Sequence, residues 1–164
     1  MTRSWSCLRM SEHDIANSET HDLQAFIDGT AHYFSHVTGH NAIVGTPYLR
    51  TDENLTLGYT GMIGVSGTRK GFVYFTSTRE MLENILDAIG ETDFCDEHIV
   101  DIIGEIANTI SGNVRSQYGK DFMISVPAVI SGGSHKVNYP GNTATYIIPI
   151  TWKQYQPRLM ISLE

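Results

Sequence analysis

Cysteine is scarce in this chain: only Cys7 and Cys95 occur in 164 residues. They form no CxxC pair, so neither a disulfide framework nor a zinc site is expected, and a reducing cytoplasm fits. Basic residues are also few. Eleven Lys and Arg stand against 18 Asp and Glu, a formal charge of −7. That balance argues against a nucleic-acid or anionic-membrane surface, which needs a basic patch. It leaves a basic protein partner open. No apolar run approaches the roughly 20 residues of a membrane-spanning helix. The opening MTRSWSCLRM carries two arginines but no apolar centre, so it reads poorly as a secretion signal. A loose tail over residues 1–18 is the expectation, with Met10 as an alternative start.

What is present is a globular composition, 41% hydrophobic and 18% charged, sized for one domain over residues 19–164. Leu23, Phe26, Ile27, Thr30 and Phe34 recur at helical spacing after a cap at Ser18 or Thr20, and Gly39 stops that helix. NAIVGTPYL predicts a strand that Pro47 keeps near a sheet edge. LTLGYTGMIGVSG and KGFVYFTS predict a hairpin around Gly-Thr-Arg-Lys-Gly. That turn lacks phosphate-loop spacing. TREMLENILDAIG predicts a short helix, capped by Ser77 or Thr78 and stopped by Gly90. A long helix follows, capped by Asp96, running to about Tyr118 and stopped by Gly119. FMISVPAVISG predicts a strand with an internal Pro127, SHKVNYPGNT a turn-rich loop, and TATYIIPITW and PRLMISLE two closing strands.

The order is therefore helix, strand, hairpin, helix, then helix, strand, hairpin. At an offset of 76 residues, Phe26 falls on Ile102, Ile27 on Ile103, Ala31 on Ala107, Phe34 on Ile110 and Ser35 on Ser111. A short gap then sets IVGTPYL on MISVPAVI. Two amphipathic helices match in phase by chance. A matching strand with its proline does not follow from that, so an internal duplication is the economical account. Repeat 1 covers about 19–90 and repeat 2 about 91–164. The predicted class is α/β, more strictly α+β. An antiparallel sheet of about six strands carries the long helices on one face, with pseudo-two-fold symmetry between the halves.

On a helical wheel, Ile99, Ile102, Ile103, Ile106, Ile110 and Val114 share one broad face. Asp101, Glu105, Asn108, Gly112 and Arg115 form a narrow stripe opposite, with Gly104 nearby. Solvated faces favour Glu, Lys, Gln, Ala and Arg, whereas Asn and Gly are poor helix formers, each Gly costing about 1 kcal/mol against Ala. Such a sequence fits close approach by another backbone. Glu-x-x-Asn alone is a weak signal, and on that evidence by itself a solvated face is the better reading.

DIIGEIANTISGNV followed by ISVPAVISG resembles the CheC/CheX/FliY family of chemotaxis phosphatases. The matching positions are Asp101, Glu105, Asn108 and Pro127, and the likeness covers about residues 20–164. The gap from Asn108 to Pro127 is slightly short for CheC-type members. In repeat 1 the equivalent positions are Gly29 and His32, so one motif survives, as in CheX-type members. The resemblance implies hydrolysis of an aspartyl-phosphate on a CheY-type response regulator. It implies that Asn108 orients the attacking water and that Glu105 pairs with the regulator's Lys. Asp101, Gly104, Gly112 and Arg115 would serve the partner contact. Mg²⁺ would belong to the regulator, and this chain would need no metal or cofactor. A homodimer is implied as well, with ATYIIPITW offering an edge for pairing. The rival readings are a non-catalytic module that binds a regulator, and a flagellar-switch-associated interaction protein.

His32, His36 and His40 are spaced by four, but Gly39 is expected to break the row before it could hold a metal. Tyr74, Phe75, Tyr146 and Trp152 fall on strands as core or subunit contacts.

Overall fold

The structure, a computed structural model, describes residues 11–51, 54–132, 135–139 and 142–164. Helix α1 spans Glu12–Tyr33, and its cap lies seven residues before the expected Ser18. Ser11 is the true N-cap: its hydroxyl accepts from the Asp14 N–H at 3.2 Å, and the Asp14 carboxylate accepts back from the Ser11 N–H at 3.3 Å. This is a reciprocal capping box with Asp in place of Glu. Residues 11–18 are thus not a tail; residues 1–10, with Met10, lie outside the described residues. Ser18 instead receives the Arg69 guanidinium, and Thr20 Oγ1 donates to the Ala16 carbonyl. A widened turn, Phe34–Thr38, follows α1. Gly39 ends it in the left-handed region at φ 73°, as expected.

The remaining elements are β1 (Ile43–Val44), β2 (Tyr48–Leu49), β3 (Tyr59–Gly67), β4 (Gly71–Ser77), α2 (Arg79–Ala88), α3 (Asp96–Tyr118), β5 (Phe122–Ile124), β6 (Ala128–Ser131), β7 (Tyr146–Thr151) and β8 (Arg158–Leu163). Their strands form one antiparallel sheet in the order β1-β7-β8-β4-β3-β5. Strand β2 shares β7 with β1, and β6 shares β3 with β5. Eight strands therefore fill six lanes, and each outer lane is broken once. The breaks fall at Pro47 and Pro127, which have no N–H to give a ladder.

The pseudo-two-fold runs between β4 and β8. It relates α1 to α3, the split strand β1–β2 to β5–β6, and the hairpin β3–β4 to β7–β8. Each half supplies the outer strand of the other half's hairpin. Strand β7 is consequently paired on both sides, by β8 and by β1–β2. The expectation that ATYIIPITW forms an edge is corrected: the edges are the two split strands.

Strand alternation sorts the sheet's two faces. Val73, Phe75, Ile148, Ile150, Leu159 and Ile161 join the helices in the main core. Tyr74, Ile147 and Met160 point the other way, to a smaller cluster with Leu55, against which Val137 and Tyr139 pack. The described part of SHKVNYPGNT thus covers the far face. His135 Nε2 lies 2.7 Å from Thr60 Oγ1 there. The Gly-Thr-Arg-Lys-Gly turn has a second task. Arg69 Nε donates to buried Asp22 on α1 at 2.9 Å, and Tyr118 at the end of α3 donates to the same carboxylate.

Two glycines set how close the helices come. A Cβ on Gly61 of β3 would stand 2.6 Å from the Ile103 carbonyl oxygen and 3.2 Å from Ala107 Cβ, so α3 rests almost on the sheet backbone. On α1, a Cβ at Gly29 would stand 3.3 Å from the Ile110 carbonyl oxygen. Asn113 Nδ2 donates to the Gly29 carbonyl at 3.1 Å.

Candidate active site

Helix α3 is held by the face the isoleucine spacing marks. Ile99, Ile102, Ile103, Ile106, Ile110 and Val114 are all buried in the main core. Its N-cap is Cys95, whose side chain makes no capping bond, and Asp96 is the first helical residue rather than the cap. The Asp96 carboxylate instead accepts from Arg79 Nη1 at 2.5 Å. Arg79 also bonds Glu83 and the Phe94 carbonyl, which ties α2 to the start of α3. The Tyr59 hydroxyl lies at the same guanidinium. These bonds, with the Asp96 carboxylate foremost, hold the guanidinium above its ordinary value. Gly119 ends α3 at φ 86°.

Asp101, Glu105, Asn108 and Arg115 are exposed, and Gly112 is half-buried beside them. They run along one side of α3 for about 21 Å at 1.5 Å per residue. Among the described residues no ion pair occupies Asp101, Glu105 or Arg115. Among the described residues nothing lies within 4 Å of where a Gly112 Cβ would be, so the ridge is open at that turn.

Gly104 differs from the other stripe candidates. It is buried, and a Cβ there would meet Val129 Cγ2 at 3.2 Å and Pro127 Cβ at 3.4 Å. The close approach it permits is used inside the chain. That contact seats exposed Pro127, from the break between β5 and β6, against α3 one turn before Asn108. The four positions of the motif are thus gathered: three along the ridge and the proline at its flank.

Beneath the ridge lies a residue the sequence pattern did not single out. Tyr33, at the end of α1, is buried, and its hydroxyl has no hydrogen-bond partner among the described residues. Burial pushes its phenol well above the ordinary value, and the negative charge of Glu105 adds to this. Glu105 is therefore within electrostatic reach of the α1–α3 contact. Only the tertiary crossing brings these two together; no spacing rule links positions so far apart.

A second grouping also escaped the pattern. Asp93, Cys95 and His98 place one donor atom each within 4.8 Å of one another before and within the first turn of α3. Cys95 is exposed and has no disulfide partner among the described residues. The His98 imidazole is held above its ordinary value, first by the bond to the Asp93 carbonyl and then by the charges of Asp93, Glu91 and Glu97. Counting paired cysteines passes over an Asp-x-Cys-x-x-His spacing. The histidine row of α1 is broken as expected. His32 and His36 stack at 3.8 Å, while His40 lies past Gly39 and takes the Trp152 indole N–H on its carbonyl.

An antiparallel sheet of two interlocked halves carrying long helices on one face is the fold of solved CheX and CheC-like chemotaxis proteins. The family model for "Chemotaxis phosphatase CheX" matches residues 59–151, more than half of the chain, and the chain belongs to that family. No curated protein matches it. Among solved structures, the Vibrio vulnificus chemotaxis protein CheX superposes with TM-score 0.78 at 20% identity, covering 88% of this chain and 99% of that one. A CheC-like superfamily protein from Shewanella sp. PV-4 gives TM-score 0.76 at 25% identity, covering 87% and 97%. A chain of the CheX–CheY–BeF3–Mg²⁺ complex from Borrelia burgdorferi gives TM-score 0.72 at 21% identity, covering 87% and 97%.

Proposed function

We propose that this chain hydrolyses the aspartyl-phosphate of a CheY-type response regulator. The observation that carries the reading is the outward presentation of Glu105 and Asn108, about 4.5 Å apart along a buried-backed helix, in a chain of the CheX family. An acyl phosphate is already activated. What it needs is a water in line with the phosphorus and neutralised charge on the equatorial oxygens. The regulator's own Mg²⁺ and Lys supply that neutralisation, and this chain supplies the alignment.

In this mechanism the ridge enters the regulator's active site. Glu105 pairs with the regulator's Lys and sets the depth of entry. The Asn108 amide, uncharged and able both to donate and to accept, holds a water opposite the acyl oxygen. The water oxygen bonds to phosphorus as the bond between phosphorus and the acyl oxygen breaks. The electron pair returns to the aspartate carboxylate, the water proton leaves to phosphate and solvent, and inorganic phosphate departs. Asp101 and Arg115 contact the partner to either side, and the open turn at Gly112 admits its backbone. The reading places the chain in the cytoplasm. It includes a homodimer, supported by the exposed Ile43 and Leu49 on the β1–β2 edge and tested by sedimentation.

The test is the decay of phosphorylated regulator, measured beside binding. Asn108→Ala should lower the acceleration by about 100-fold while leaving the complex intact. Glu105→Lys should weaken both association and rate, since it sets like charges face to face. Undiminished acceleration by Asn108→Ala would overturn the water-positioning role. Binding without any acceleration by the wild type would leave a regulator-binding module instead.

A further inference from the structure

We propose that Asp93, Cys95 and His98 form a site for one thiophilic divalent cation, Zn²⁺ foremost. The proposal is independent of the phosphatase reading. The three residues come from one six-residue stretch and converge at the start of α3, with their donor atoms within 4.8 Å of one another. The stretch is already folded for the purpose. The Asp93 carboxylate accepts the Cys95 N–H at 3.1 Å, and His98 Nδ1 lies 2.9 Å from the Asp93 carbonyl and 4.0 Å from Asp93 Oδ2. The Cys95 thiol is not spent on capping the helix.

Donor chemistry selects the ion. Calcium and magnesium take oxygen ligands, whereas a thiolate beside an imidazole and a carboxylate suits zinc. Ligand atoms held 2.0–2.3 Å from zinc stand about 3.5 Å apart in a tetrahedron. Small rotations of these accessible side chains close the triad to that size. Three protein donors leave the fourth position to water.

Charge decides whether a cation stays. The α3 N-terminus carries a partial positive charge that opposes one. Glu91 and Glu97, both near enough to act on His98, offset it. Asp96 is committed to Arg79 and does not join the set. His98 lies two turns before Glu105 on the same side of α3, about 10 Å along the axis. The metal would therefore sit at the end of the ridge, outside its chemistry.

The test uses the full chain carrying Cys7→Ser, so that the thiol signal reports Cys95. Metal-free protein is titrated with Zn²⁺ against a chromogenic chelator, and with Co²⁺ to read thiolate-to-metal charge transfer in the near ultraviolet. One equivalent of each ion is expected, with the charge-transfer band abolished by Cys95→Ser. That change keeps a good N-cap, so the helix is retained. His98→Gln and Asp93→Asn should each weaken Zn²⁺ binding at least ~10-fold, whereas His36→Gln should not. Failure of the Cys7→Ser protein to take up Zn²⁺ at micromolar concentration, or uptake unaffected by Cys95→Ser, would overturn the proposal.

Discussion

The α-carbon of Gly61 lies directly beneath the Ile103 carbonyl, where an added Cβ would come within 2.6 Å of the oxygen. This contact sets the height of α3 above the sheet, and so the position of the ridge on its outer side. Gly61→Ala should push helix and strand apart. A loss of about 1–3 kcal/mol is expected, as for other overpacked sites, read as a lower urea midpoint at constant slope. Regulator dephosphorylation should fall with it. An unchanged midpoint would mean that α3 rises freely and that its height is not set here.

The Asp22 carboxylate serves as the meeting point of α1, the β3–β4 turn and the end of α3 through Arg69 and Tyr118. Asp22→Ala takes the carboxylate from both partners, leaving the Arg69 guanidinium on the Ser18 hydroxyl and the Tyr118 hydroxyl beside the His21 imidazole. The Arg69 side chain is 25% exposed, so water screens part of the effect. The expected loss is about 2–3 kcal/mol. Asp22→Leu combined with Arg69→Met should recover most of it, because an apolar pair of similar volume needs no charge partner. Thermal melts of the three proteins decide the matter.

Gly112 separates folding from docking. An added Cβ at this position has nothing within 4 Å among the described residues, and leucine is a better helix former than glycine by up to ~1 kcal/mol. Gly112→Leu should therefore melt at or above the wild-type temperature while losing activity toward phosphorylated regulator. Full activity in that variant would show that no partner approaches the ridge at this turn.

The Asp14 carboxyl is held below 3.8 by the Ser11 hydroxyl first and the Ser11 backbone N–H second. A carboxyl lowered in the folded state stabilises α1 above its unfolded value. It loses that contribution as pH falls through the folded value. The first turn should thus fray on acidification below pH 4, seen as faster amide exchange at residues 14–16. Ser11→Ala should return the Asp14 midpoint toward 3.8, which carbon-detected NMR titration measures.

Helix α3 was legible because a single residue type, isoleucine, repeats on one face, and the polar stripe follows from it. The six lanes and the duplication were legible because the two halves share a proline at the same place. The start of α1 was hidden by an Asp where the usual capping box has Glu. The interior place of β7 was hidden because alternation records which face a side chain takes and not which strand lies beside it. Gly104 borders both stripe and core, and only the tertiary contact with Pro127 assigns it inward. Ser and Asp dominate N-caps, so a Cys at that position drew attention to Asp96 instead.

The exchange of outer strands between the halves has a consequence for folding. Neither half holds the neighbours its own hairpin requires: β3 waits for β5–β6, and β7 waits for β1–β2. Fragments cut in the loop between α2 and α3 should stay unfolded apart and assemble when mixed. In the intact chain, contacts between distant residues must form together, which slows folding and makes it all-or-none. The arrangement is that of two short chains embracing as a swapped dimer, joined by a linker that carries α2.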